Sequence, residues 1–474
     1  MTRRPAAALA LAVVLTLAGC TVGYQPVGAP EPGEVPADDA PLGTYDGYGH
    51  DATLDVDAED GLSASETEAV VSRAMARVQL LRGLRFEEDV DVEIVTRETF
   101  REEYDDVWSE PSADRRLLAN VQHEALFLVG PDEDVADVRR NNRGGVVLGF
   151  YQPSRDRLVV VSRNDPATLD DELTLAHELM HALQDQRFGL SSFDGSTLDS
   201  VNARNGLIEG DATLVERAYE RNCETGTWEC VETETAGGGL PEGFHWGVYF
   251  LDYFPYAEGP SFVEHYRDRG GWRAVDPIYG DLPTTSAEII HPETYRRGVY
   301  GEATVEDRND PDWERVTIEG GAGAATVGQA GLVSMFVYTA YDGDSSGVVD
   351  RDAFRNEGTE GLDPDRPYTY DIEYAEGWYG DRLHAYERSG ETAYVWNVTF
   401  VDRANATTFA EGYGRLAEYW GGDRRAAGGE TVWTFEGTKG PFRGAVWVER
   451  DENAVTIVKA PSESALGDVY APAG

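Results

Sequence analysis

The stretch DDELTLAHELMHALQDQR, residues 170–187, is the part of the sequence that decides the fold of the first half of the chain. It has the pattern of a helix, with Asp170 as the predicted N-cap, acidic residues in the first turn and Arg187 in the last turn. One side of this helix is apolar and is expected to be buried, with Leu173, Ala176, Leu179, Met180 and Leu183 on it. His177 and His181 are four residues apart, so they lie about 40° from each other around the axis and project from one face.

The segment HELMH, from His177 to His181, has the residue types and the spacing of a zinc site. Two imidazoles on one helix face can reach the same tetrahedral zinc ion, and Glu178 then lies within reach of a zinc-bound water but not of the metal. The chain has only 8 histidines in 474 residues, so the odds of a chance HExxH are roughly one in a hundred. We therefore predict His177 and His181 as zinc ligands and Glu178 as the catalytic base.

A third ligand has to come from elsewhere in the chain, because a catalytic zinc ion usually has three protein ligands and one open position. Arg187 occupies the position where the metzincin pattern has a histidine, which excludes that class. A glutamate on a following helix is the other option, and the helical stretch GLIEGDATLVERAYE supplies one at Glu209. Glu216 and Asp211 remain alternatives for the third ligand. Asp211 or Asp185 could orient a ligating histidine from behind.

HELMHALQDQ, followed by IEGDA about 28 residues beyond the second histidine, resembles the gluzincin-like HExxH…EGDA zinc metallopeptidases. It is also similar to a group of haloarchaeal surface lipoproteins with the same pair of motifs. The resemblance covers residues 170–220. It implies a zincin-like fold with a mixed sheet and an active-site helix, and peptide hydrolysis as the activity. It also implies His177, His181 and Glu209 as zinc ligands and Glu178 as general base.

The expected substrate is a peptide or protein, and Glu178 is expected to take a proton from a zinc-bound water and pass it to the leaving amine. His291 and Tyr295 are candidates for the donor that stabilises the developing oxyanion. An edge strand beside the active helix, at 146–151 or 157–162, is expected to bind the peptide by strand addition. The alternative is a non-catalytic cell-surface protein in which a zinc ion holds two helices of a structural or binding domain together.

The N-terminus has the pattern of an export signal. Residues 1–19 combine paired arginines with a short apolar stretch, and Leu17-Ala18-Gly19-Cys20 resembles a lipobox, in which the cysteine receives the lipid. Residues 20–50 are rich in Pro, Gly and acids and are predicted to be a tether. We therefore expect the protein to lie on the extracellular face of the membrane and to be anchored by a lipid on Cys20. Its export could follow the twin-arginine route.

The composition favours a salt-adapted surface, since 87 acidic residues face 40 basic ones and the net charge is −47. The acids are spread along the chain, and the basic residues are almost all arginine, with lysine only at positions 439 and 459. Such a surface suits concentrated salt, in which self-repulsion is screened over a few ångströms, and it resembles the proteins of extremely halophilic archaea. Nucleic acid is excluded as a favourable partner by this charge.

The remaining patterns predict an α+β protein with two domains and no internal repeat. Residues 51–320 are assigned to the zincin-like domain and residues 321–474 to a smaller α+β domain of unknown role. GWYGDR, at 377–382, is predicted to be a structural turn in the second domain. Cys223 and Cys230 are predicted to form a disulfide, because an exported protein is oxidised and no further Cys or His at close spacing completes a zinc site there.

Overall fold

A computed structural model describes residues 41–56, 62–104, 111–193, 195–232, 239–318, 323–343, 347–359, 361–427, 430–438 and 440–471. The predicted signal peptide, Cys20 and most of the predicted tether lie outside these residues. Within the described part of the chain, no helix has the length and apolar character needed to cross a membrane.

The described residues form helices and several sheets, which confirms the predicted α+β class. The helices are α1 (Ala64–Arg82), α2 (Arg97–Glu103), α3 (Ala113–Ala125), α4 (Val135–Val146), α5 (Glu172–Phe188), α6 (Leu198–Glu224), α7 (Trp246–Gly270), α8 (Trp272–Val275), α9 (Ser286–Ile290), α10 (Gly328–Tyr338), α11 (Arg403–Tyr419) and α12 (Leu466–Val469). The strands are β1 (Thr44–Tyr45), β2 (Tyr48–Gly49), β3 (Asp91–Thr96), β4 (Gly149–Gln152), β5 (Arg157–Ser162), β6 (Glu314–Arg315), β7 (Glu357–Gly358), β8 (Gly361–Leu362), β9 (Trp378–Arg388), β10 (Glu391–Phe400), β11 (Asp423–Ala427), β12 (Glu430–Glu436), β13 (Arg443–Asp451) and β14 (Ala454–Ala460).

The chain divides into two compact units that are interleaved in sequence. The first contains residues 1–109, 140–193 and 212–244, and the second contains residues 110–139, 194–211 and 245–474. The divisions pass through α4 and α6, so each of these helices contributes residues to both units. The assignment of 51–320 and 321–474 to two domains stays a prediction.

The first unit contains a small mixed sheet in the order β3-β5-β4. β3 runs parallel to β5, while β4 and β5 form an antiparallel hairpin, which leaves β4 at an edge. The strands predicted at 146–151 and 157–162 are present, although the first begins at Gly149 because 146 is still the end of α4. The apolar run from Leu158 to Val161 is buried, which places β5 in the core of this unit.

The second unit contains a seven-stranded antiparallel sheet in the order β11-β12-β13-β14-β10-β9-β6. The interior strand β10, between β14 and β9, is apolar on both sides because both faces of the sheet are covered. On one face the ring of Trp396 contacts Tyr413 of α11. On the other, Val395 belongs to a buried cluster that includes Trp447 and Tyr470.

The prediction of GWYGDR as a structural turn was wrong, because residues 378–382 belong to strand β9 and only Gly377 lies in a turn. Asp381 of this strand has a structural role in the second unit. Asp381 is 3% exposed, and its carboxylate accepts from the backbone N–H groups of Val327 and Gly328, each at 2.9 Å. Those two N–H groups lie at the start of α10, so the carboxylate satisfies donors that the helix itself leaves unpaired. The indole N–H of Trp396 also donates to Asp381, at 3.0 Å.

Candidate metal centre

The helix α5 carries the HELMH segment, and its two ends are defined by capping residues. Asp171 is the N-cap, and its side chain accepts from the backbone N–H of Thr174 at 2.8 Å. Gly189 ends the helix with φ +70°, a conformation that glycine adopts at little cost. The prediction of Asp170 as N-cap was wrong by one residue, because the Asp170 carboxylate accepts instead from the Ser162 hydroxyl and closes the preceding turn.

His177 and His181 lie on the same face of α5, as the spacing predicted, and their ring nitrogens converge. The two Nε2 atoms are 3.1 Å apart. His177 Nδ1 donates to Glu216 Oε2 at 2.8 Å, and His181 Nδ1 donates to the side-chain oxygen of Gln184 at 2.8 Å. Because a carboxylate and an amide oxygen only accept, both imidazoles are held with Nε2 available as a ligand atom. Two such lone pairs repel each other at this distance unless a cation lies between them.

Glu209 completes a group of three residues that could hold a metal ion. One ligand atom from each of His177, His181 and Glu209 lies within 4.8 Å of the other two. All three residues are buried, with exposures of 1%, 3% and 2%. The donor set of two imidazole nitrogens and one carboxylate oxygen is one that zinc accepts in catalytic sites.

The other acids considered as ligands or orienting groups have different partners. Glu216 lies seven residues beyond Glu209, so the two project within about 20° of each other on α6, and Glu216 holds His177. Asp211 projects from the other side of α6, where it accepts from the Tyr279 hydroxyl at 2.7 Å. Asp185 accepts from the Tyr151 hydroxyl at 3.2 Å. The groups that accept from the Nδ1 atoms of the two histidines are Glu216 and Gln184. An orienting role of Asp211 or Asp185 stays a prediction.

The sequence contained usable signals for both orienting residues, although our prediction did not use them. Gln184 lies three residues beyond His181, and side chains with that spacing on a helix are neighbours. Glu216 was predicted only as an alternative ligand. It lies two turns from Glu209 on the same face of α6, and this position also suits contact with the Nδ1 atom of a ligating histidine.

Glu178 is fully buried beside the edge strand of the small sheet. A Cβ atom added at Gly149 would lie 2.9 Å from Glu178 Cγ and 3.2 Å from Thr174 Cγ2. Any residue other than glycine at position 149 would therefore displace the Glu178 side chain. Gly149, the first residue of β4, therefore lies directly beside the side chain of Glu178, the predicted base.

The outer edge of β4 presents backbone groups close to Glu178. The Val161 N–H donates to the Leu148 carbonyl at 2.7 Å, so Leu148 faces the hairpin partner. Since antiparallel strands alternate, the N–H and C=O groups of Gly149 and Tyr151 point away from β5. No described strand pairs with that edge in the sheet order β3-β5-β4.

Gly210, directly after Glu209, allows α6 and α7 to approach closely. A Cβ atom at Gly210 would lie 2.2 Å from the carbonyl oxygen of Gly259, and one at Gly259 would lie 2.3 Å from the oxygen of Gly206. Backbone therefore contacts backbone where these helices cross. The segment of α6 that carries Glu209 is held at this crossing.

His291 and Tyr295, the candidate oxyanion donors, have contacts in the second unit. Nε2 of His291 is 3.3 Å from the side-chain nitrogen of Gln329. The Tyr295 hydroxyl donates to the backbone carbonyl of Asp281, and burial raises the pKa of Tyr295 to about 12. Their role as oxyanion donors stays a prediction.

Cys223 and Cys230 form a disulfide in the structure, as predicted. The Cys223–Cys230 disulfide joins the last turn of α6 to the segment that follows it, with Cα atoms 5.7 Å apart. Its loop lies in the first unit, together with α5 and the second half of α6.

The comparisons with known proteins concern another part of the chain. Residues 314–470 match a family described as a domain of unknown function, DUF8575. This match covers the seven-stranded sheet and does not include the metal centre. No curated protein and no solved structure matches the chain.

Proposed function

We propose that this protein is an extracellular, lipid-anchored zinc metallopeptidase in which Glu178 is the general base. The observation that supports the proposal most directly is the convergence of the two Nε2 atoms at 3.1 Å while both Nδ1 atoms donate elsewhere. Two nitrogens at about 2.0–2.1 Å from one tetrahedral ion are roughly 3.3 Å apart. The imidazoles are thus already spaced for a shared metal ion.

His177, His181 and Glu209 are the residues that would hold the zinc ion. When bound, zinc polarises a water molecule and the substrate carbonyl, and it lowers the pKa of that water towards about 7. The carboxylate of Glu216 and the amide oxygen of Gln184 hold the two histidine rings in the tautomer and orientation that this binding requires.

Glu178 supplies the proton transfers of the proposed reaction. It accepts a proton from the water whose oxygen attacks the scissile carbonyl carbon, and it returns that proton to the amide nitrogen as the C–N bond breaks. The base therefore ends the cycle in its initial ionisation state. The exposure of Glu178 is 0%, so bulk water does not compete for the carboxylate in this conformation.

The outer edge of β4, with which no described strand pairs, is the proposed binding site for the substrate backbone. An extended peptide that pairs with the N–H and C=O groups of Gly149 and Tyr151 would run beside Glu178. Main-chain pairing favours extended peptides of varied sequence, because the affinity does not depend on one side chain.

The exported, anchored location is part of the proposal and rests on the N-terminal sequence. The lipobox pattern at Cys20 supplies the anchor, and the tether after it holds the folded part away from the membrane. The charge of −47 suits a surface that works in concentrated salt.

The test compares wild type with Glu178→Gln in high salt. Both proteins are expected to bind one zinc ion, and only wild type is expected to cleave casein or a peptide library. A chelator should abolish this cleavage, and added zinc should restore it. Equal cleavage by both proteins, or none by a fully zinc-loaded wild type, would contradict the peptidase proposal. The second of these results would favour the non-catalytic alternative, in which zinc only holds the helices.

A further inference from the structure

The first residue of α5, Glu172, is a buried carboxylate that the proposed reaction does not use. It is 1% exposed and forms ion pairs with Arg73 and Arg77, which lie one turn apart on α1. The second of these pairs has a distance of 2.7 Å between Nη1 and Oε2. Taking such charges out of water is expensive, so the arrangement requires that further donors satisfy the carboxylate.

Two further donors reach Glu172 from other segments. The Tyr219 hydroxyl, on α6, donates to Oε2, and the backbone N–H of Val231 donates to Oε1 at 3.0 Å. Burial raises the pKa of Tyr219 well above its usual value, so its hydroxyl stays protonated and can donate. The single carboxylate therefore joins α1, the start of α5, the end of α6 and the segment after the disulfide.

The disulfide loop is bound into the same cluster. Arg77 Nη2 donates to the backbone carbonyl of Glu229 at 2.9 Å, and its guanidinium carbon lies 4.8 Å from the centre of a Trp228 ring. Cys230 directly precedes Val231, and the disulfide links it to Cys223 in the last turn of α6. A covalent path thus runs from the end of α6 to the donor that binds Glu172.

The Glu172–Tyr219 contact lies close to the contact that orients His177. Glu172 precedes His177 by five residues, and Tyr219 follows Glu216 by three. At about 1.5 Å per residue, the two cross-helix contacts are roughly 4.5–7.5 Å apart along the helices. Because a helix is stiff over one or two turns, a shift of α5 against α6 at Glu172 moves His177 against Glu216.

We propose that Glu172 is a positioning residue of the metal centre. Together with Arg73, Arg77 and Tyr219 it forms a clamp that holds the start of α5 against the end of α6. The Cys223–Cys230 loop keeps the clamp closed. The inference rests on the proposed metal site, and it does not require that the protein cleaves peptides.

Three variants test the clamp, and one serves as a control. Glu172→Gln removes the charge, Tyr219→Phe removes one hydroxyl and keeps the ring, and a double Cys223→Ser, Cys230→Ser variant opens the loop. Serine is preferred to chemical reduction, because free thiolates bind zinc themselves. The control is Tyr104→Phe, since the buried Tyr104 also donates its hydroxyl to a glutamate, Glu93 at 2.7 Å.

The readouts are the zinc dissociation constant and the visible absorption spectrum of the cobalt(II)-substituted protein, measured where circular dichroism shows each variant to be folded. Removal of groups that orient metal ligands weakens metal binding by about 10–100-fold. We expect Glu172→Gln to raise the zinc dissociation constant at least about tenfold and to alter the cobalt spectrum. Tyr219→Phe and the serine variant should raise the zinc dissociation constant by a smaller factor and alter the cobalt spectrum less. The control should change neither the constant nor the spectrum.

Folded variants with the wild-type zinc dissociation constant and cobalt spectrum would overturn the proposal. If Glu172→Gln does not fold, Tyr219→Phe and the serine variant decide the question, because both keep the carboxylate with its two arginines. A different result would contradict the peptidase proposal, namely a zinc-loaded wild type that cleaves no substrate. The metal-binding measurements are unaffected by that result.

Discussion

The Nδ1 atom of His177 donates to the carboxylate of Glu216 across 2.8 Å, from α5 to α6. The histidine is 1% exposed, whereas the Glu216 side chain keeps 32% of its surface. An acceptor on Nδ1 fixes the tautomer and raises the basicity of Nε2, which is the atom that faces His181. This contact makes α6 a source of ring orientation as well as of the third candidate ligand.

Replacing Glu216 with alanine should therefore weaken zinc binding while it leaves all three candidate ligands in place. The expected increase in the zinc dissociation constant is about 10–100-fold, because the His177 ring loses the group that orients it. Competition with a chromophoric chelator measures this constant. Glu220→Ala, an exposed position one turn further along α6, is the matched control. Equal constants for the two variants would show that Glu216 does not support the centre.

Adding one methyl group at Gly149 should lower kcat with little effect on zinc content. The new Cβ atom would lie 2.9 Å from Glu178 Cγ, so the base has to move, and a displacement of about 1 Å can cost 100-fold in rate. Peptide cleavage and metal analysis of Gly149→Ala test this. In the control Gly144→Ala, the nearest atom to the new Cβ is 3.7 Å away, and cleavage should stay at the wild-type rate. A Gly149→Ala protein with wild-type kcat would place the base elsewhere.

The sequence was sufficient where the signal is local. The spacing of His177 and His181 predicted their common helix face, and β4 and β5 lie in the two segments that were predicted to be strands.

Tertiary contacts explain what the sequence did not show. Proline usually kinks or ends a helix, yet α7 continues through Pro255 and Pro260, and its Gly259 lies at the crossing with α6. The two partners of Glu172 on α1, Arg73 and Arg77, are 99 and 95 residues away in sequence, a separation at which no periodicity gives a signal. The function of Asp381 likewise depends on the position of the start of α10, 53 residues earlier.

Gly210→Ala should destabilise the protein and disturb the metal centre. The added Cβ atom would lie 2.2 Å from the Gly259 carbonyl oxygen, and overpacking of this kind costs about 1–3 kcal/mol of the free energy of unfolding. Without that contact, alanine would stabilise a helix by up to about 1 kcal/mol over glycine. Denaturant unfolding of Gly210→Ala and Gly280→Ala tests this, since a Cβ at Gly280 has no atom within 4 Å. Equal unfolding midpoints would contradict the close crossing.

The buried carboxyl group of Asp199, in the first turn of α6, should make the stability of the protein depend on pH. It is 1% exposed and accepts from the backbone N–H of Ser286 at 2.7 Å. Burial raises its pKa from 3.8 to about 7. Between these pH values the folded protein holds a proton that the unfolded chain releases. The contribution of this proton to the free energy of unfolding is therefore fully present below about pH 4 and is lost as the pH rises to 7. At about 1.4 kcal/mol for each pH unit between the two pKa values, the loss reaches roughly 4 kcal/mol.

Asp199→Asn should remove that dependence, because the amide oxygen can still accept from Ser286 and carries no charge at any pH. The free energy of unfolding, measured in denaturant at pH 5 and pH 8 in high salt, should therefore fall with pH less steeply in this variant than in wild type. Asp352→Asn, at an exposed position, should keep the wild-type dependence. If Asp199→Asn loses as much stability as wild type between pH 5 and pH 8, this carboxyl group is not the one that titrates, and the raised pKa belongs to another buried acid.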